Sequence, residues 1–78
     1  MIGSSPLFSK KEYKVIGVWM DGERELITVC NGIDSAKYEA MNSVKIYPEV
    51  HVENDKGKLL LIYQNRGGKA WLEKEIKD

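Results

Sequence analysis

Apolar residues along this chain gather into five short runs separated by glycine- or asparagine-bearing turns, with one stretch of helical spacing between the second run and the third. The run Leu59-Leu60-Leu61-Ile62-Tyr63 is apolar without alternation, and Gly57 and Asn65-Arg66-Gly67-Gly68 fence it on either side. It is too short for a lone core helix and predicts a central strand that is apolar on both faces. Such a strand needs cover on both sides.

Upstream, residues 14–20 and 25–30 are rich in β-branched and aromatic side chains, and Asp21-Gly22 between them predicts a hairpin turn. A two-residue loop would set Trp19 opposite Arg24 and Val18 opposite Glu25, whereas a four-residue loop over 21–24 keeps the faces and shifts the pairs. Gly17 marks either a bulge or a close backbone approach. After Asn31-Gly32, Asp34 is the expected N-cap of a helix reaching about Val44, with Ile33 stapled onto Tyr38. Its apolar stripe is Ala36, Ala40, Met41 and Val44, and its length of roughly 16 Å covers only part of one sheet face. Pro48 then forces extended backbone.

Residues 49–53 alternate strictly, residues 54–57 turn, and residues 69–76 return beside the central strand. Residues 71–77 also fit a short helix, because Leu72 and Ile76 stand at i, i+4. The expected fold is therefore α+β: a small, mainly antiparallel sheet of about five strands in the order β-β-α-β-β-β, with one helix packed on one face. Residues 1–11 read as a flexible arm and residues 12–78 as a single domain. Turn chemistry leaves open which edge of the later meander the first hairpin joins.

With four-residue loops at both later turns, Val52 pairs with Leu59 and Tyr63 with Ala70. One face then carries Val50, Val52, Leu59, Leu61, Tyr63, Ala70 and Leu72, and is the face expected beneath the helix. The other carries Glu49, His51, Leu60, Ile62, Trp71 and Glu73, an apolar centre with charged flanks as expected of an interface, with Trp71 as anchor. Folding of the first hairpin, the N-terminal arm or the other strands over these residues in a small barrel would cover that face instead.

Composition narrows the chemistry. A chain of 78 residues buries only about 60–65% of the surface its unfolded form exposes, so its core is marginal. One cysteine, Cys30, and one histidine, His51, rule out an intrachain disulfide and a Cys/His zinc cage within one chain, which leaves oligomerisation or a partner as support. Twelve basic and twelve acidic residues balance, removing any global electrostatic case for nucleic acid or an anionic membrane. No run approaches the roughly 18 residues of a membrane helix, and residues 1–11 show no apolar leader, so a cytoplasmic protein is expected. The unpaired cysteine agrees with a reducing compartment.

Glu49-x-His51-x-Glu53 sets a histidine between two carboxylates on one strand face, a pattern open to acid/base or metal chemistry and equally to a solvated face. Cys30 sits in an apolar strand and reads as filler, and Gly67-Gly68 lacks phosphate-loop spacing. These readings point to a non-enzyme without cofactors: a protein-interaction module that self-associates, as a homodimer, and/or serves as an accessory regulator or inhibitor by binding another protein. Two alternatives remain, a single-stranded nucleic-acid module using Arg66, Lys69, Trp19 and Tyr13, and a small enzyme or metal site at His51.

Overall fold

The computed structural model describes residues 11–77. The arm expected over residues 1–11 lies, apart from Lys11, outside them. Five strands, β1 (Tyr13–Val18), β2 (Arg24–Cys30), β3 (Glu49–Glu53), β4 (Leu59–Arg66) and β5 (Lys69–Glu75), form one antiparallel sheet in the order β2-β1-β3-β4-β5. A single helix, α1 (Ile33–Ser43), links β2 to β3. The α+β expectation and its element order hold, and residues 69–75 are strand.

β2 and β3 run the same way on either side of β1, and a connection between strands of common direction needs about a helix's length of chain to return. That crossover lays α1 over β1, and its contacts extend to β2, β3 and β5. Ala36, Ala40 and Val44 seat on Tyr13, Val15, Val50, Val52, Leu60, Leu61 and Tyr63, forming one continuous core. β2 and β5 remain as free edges of an open sheet, so closure into a barrel does not occur among the described residues.

The helix is capped two residues earlier than its sequence suggests. Gly32, with extended backbone, is the N-cap, and its carbonyl accepts from Ala36 N–H at 3.1 Å without side-chain capping. Asp34 therefore lies in the first turn, where a carboxylate favours the positive end of the helix dipole. Ile33 packs down onto the core while Tyr38 points to solvent, so the expected staple is not made. At the other end Val44 is the C-cap, and Asn65 of β4 donates its amide to the Val44 carbonyl at 2.6 Å.

Each hairpin departs from its expected register in the same manner. The first two turns are three-residue loops, Met20-Asp21-Gly22 closed by Trp19 N–H to Glu23 O and Asp55-Lys56-Gly57 closed by Asn54 N–H to Lys58 O. In both, the third residue is a glycine with positive φ, 91° at Gly22 and 81° at Gly57. Asn54 also accepts Lys56 N–H and Lys58 N–H on its side-chain oxygen. The last turn is the two-residue Gly67-Gly68, with both φ positive, rather than the four-residue loop expected.

Compensating bulges follow. Val18 pairs with Arg24 and Gly17 with Glu25, one residue out from the expected pairs, until a bulge at Ile27 restores Val15 to Thr28. In β4, Val52 pairs with Leu61 and Glu53 with Leu59, so Leu60 is the extra residue. In β5, Tyr63 pairs with Leu72 and Ile62 with Lys74, leaving Glu73 extra. The Leu60 bulge overturns one expectation, since this leucine turns under the helix at 4% exposure and Leu59 takes the opposite face.

Candidate interaction face

Register assigns the face of the sheet away from α1 residue by residue. Lys14, Ile16 and Val18 on β1 share rows with Glu53, His51 and Glu49 on β3, and these continue onto Leu59, Ile62 and Gln64 of β4. Trp71 and Lys74 extend the rows onto β5, while Arg24, Leu26 and Val29 extend them onto β2. Among the described residues no helix or strand packs on this side, because α1, the sole helix, covers the other.

Of the residues expected here, Glu49, His51, Ile62, Trp71 and Glu73 are brought together and Leu60 is not. Ile16, Val18 and Leu59 complete an apolar centre that sequence reading missed. The β1–β3 pairing was not legible, and Leu59 changed places with Leu60 across the bulge. Trp71 is 51% exposed, and the Arg66 guanidinium lies over its ring at 4.7 Å from the centroid. Glu73 closes on the same guanidinium at 3.6 Å, so one arginine links the bulge to the tryptophan.

The three carboxylates on this face each have a partner, Glu73 the Arg66 guanidinium already described. Arg24 pairs with Glu53, and the pair crosses β1 at the level of Ile16, in keeping with that isoleucine being 8% exposed outside the main core. His51 Nε2–H donates to Glu49. The Glu49-His51-Glu53 triad is thereby split, one carboxylate on the histidine and the other on an arginine. Among the described residues no three His, Cys, Asp or Glu side chains converge where they could hold a metal ion.

The residues of the nucleic-acid alternative do not form one basic aromatic face, although Trp19 and Arg66 meet across a recess at the hairpin end. Tyr13 is 8% exposed within the core, and Trp19 packs against Tyr47 at 4.7 Å between ring centroids, towards the helix side. Only Arg66 and Lys69 lie on the open face, as a cross-strand pair.

Trp19 belongs to a second cluster unforeseen in the sequence. Glu25 accepts from Trp19 Nε1–H at 3.0 Å and from Tyr47 O–H at 2.9 Å. These donors, the indole first, hold the Glu25 carboxyl below the usual carboxylate range, and the bond to Glu25 in turn pushes the Tyr47 hydroxyl up. Gly17 makes room for the Tyr47 ring, since a Cβ there would lie 2.4 Å from a ring carbon. Cys30 is half-buried, and desolvation, followed by the nearby Glu39 carboxylate, raises its thiol pKa. That environment suits filler better than a nucleophile.

Two open recesses flank the sheet. One of about 370 Å³ lies between the start of α1 and the end of β5, with Leu60, Leu61 and Ile33 as its apolar wall and a Lys37–Glu75 contact at 3.8 Å on its rim. The other, about 410 Å³, sits at the hairpin end among Trp19, Pro48, Glu49 and Arg66. No helix of the described residues is long and apolar enough to cross a membrane. No protein-family model, curated protein or solved structure matches the chain.

Proposed function

We propose that this chain is a non-catalytic protein-binding module that works through the uncovered face of its sheet. One observation carries the reading: Ile16, Val18, Leu59, Ile62 and Trp71 form an apolar centre ringed by charge, and the only helix among the described residues packs on the opposite side. An apolar patch with a polar rim is the composition of an interface, and a stacked arginine and tryptophan are among the residue types that anchor one. The module needs no cofactor. A cytoplasmic location is part of the proposal, supported by the single unpaired cysteine.

Affinity capture from the cells that make the protein tests it, using the wild-type chain, Ile62→Glu and the helix-surface control Tyr38→Lys. Wild type and Tyr38→Lys should hold the same proteins, Ile62→Glu should lose them, and the complex should survive added salt. Capture of nucleic acid that is released steeply as salt rises would instead favour the phosphate-binding alternative. Retention by folded Ile62→Glu would place the binding surface elsewhere.

A further inference from the structure

Resting on that reading, we infer that the molecule covering the open face is a second copy of this chain, packed face to face about a two-fold axis running along β4. Charge is distributed over the face strand by strand. β3 turns outward Glu49, His51 and Glu53, two carboxylates with no lysine or arginine among them, and Arg24 offsets part of that charge from β2. β5 turns outward Lys69, Trp71 and Lys74, while its bulge residue Glu73 is engaged by Arg66 of β4. Between the acidic strand and the basic strand, β4 presents Leu59 and Ile62.

Turning one sheet to face its copy about an axis over β4 returns β4 to itself and exchanges β3 with β5. The acidic strand of each protomer then lies over the basic strand of the other, and Ile62 meets Ile62. Both halves of the contact are the same, as a two-fold interface requires. An axis over β3 would set Glu49 and Glu53 against their own copies, and one over β5 would do the same to Lys69 and Lys74. Lys14, Ile16 and Val18 on β1 fall outside the overlap, so the copy covers the β3–β5 part of the open face. Three strands about 14 Å wide and about 20 Å long offer only about 300 Å², well short of the roughly 800 Å² per partner of tight complexes, so association belongs at micromolar rather than nanomolar concentration.

Sedimentation equilibrium on the full chain tests this with two charge-reversed variants, Glu49→Lys/Glu53→Lys and Lys69→Glu/Lys74→Glu. Wild type should dimerise, and each variant alone should associate roughly tenfold or more weakly, because like charges now face each other. An equimolar mixture should recover a one-to-one dimer, since the reversed β3 of one variant meets the reversed β5 of the other. Should the β3 variant fail to fold, Lys69→Glu/Lys74→Glu alone should lose association at low salt and regain it as salt screens the repulsion. Wild-type dimers unaffected by either reversal would overturn the inference. A wild type monomeric at every concentration would also overturn it, yet leave the protein-binding reading standing if Ile62→Glu still abolishes capture of another protein.

Discussion

Gly17 is where a single side chain most constrains this fold. Its missing Cβ admits the Tyr47 ring, which brings the Tyr47 hydroxyl to Glu25 and its face to Trp19. Gly17→Ala should cost about 1–3 kcal/mol in chemical denaturation, as over-packing does, and much of that loss should vanish in a Tyr47→Ala background. The sequence offered a bulge or a close backbone approach at Gly17, and the side-chain ring responsible lies thirty residues on and could not be named. Glu25 adds a pH dependence. Its folded pKa lies below its unfolded value, so its contribution is present above the unfolded pKa and fades as pH falls through the folded one. Glu25→Gln should therefore lower stability at neutral pH and flatten the acid limb of a stability–pH curve. Tyr47 has the opposite sign, its raised pKa making stability fall once pH climbs past the ordinary tyrosine range.

Individual elements were legible in type and less so in phase. Apolar runs and glycine turns disclosed five strands and one helix, because period and turn chemistry are local properties. Register was not local. Two three-residue loops and one two-residue loop each displace pairing from the simpler alternatives, and bulges at Ile27, Leu60 and Glu73 follow within the strands. The Leu60 bulge separates the two accounts of β4 by experiment. Leu60→Ala should cost about 2–5 kcal/mol as a core truncation, while Leu59→Ala, on the open face, should cost clearly less. Strict alternation predicts the reverse order. Asn65, read from sequence as a turn residue, bonds the last carbonyl of α1 and also accepts Gly68 N–H at 2.8 Å. Asn65→Ala should cost about 1–2 kcal/mol by denaturation, because the Val44 carbonyl is left without that donor.

At the scale of the molecule, the shortage of cover seen in the apolar run 59–63 persists among the described residues, with its membership revised. One helix serves one face, and the other keeps Ile16, Val18, Leu59, Ile62 and Trp71. β1 contributes Ile16 and Val18 because it pairs with β3, a neighbour relation that strand patterns alone left undetermined. Radical footprinting tests the central claim most directly, comparing the dilute purified chain with the same chain in the cells that make it. Trp71, half-exposed in the isolated chain, should become several-fold less oxidised in the cell, while the exposed Met20 and Tyr38 stay equally reactive. Trp71 oxidised as readily in the cell as in dilute solution would contradict a binding role for the open face.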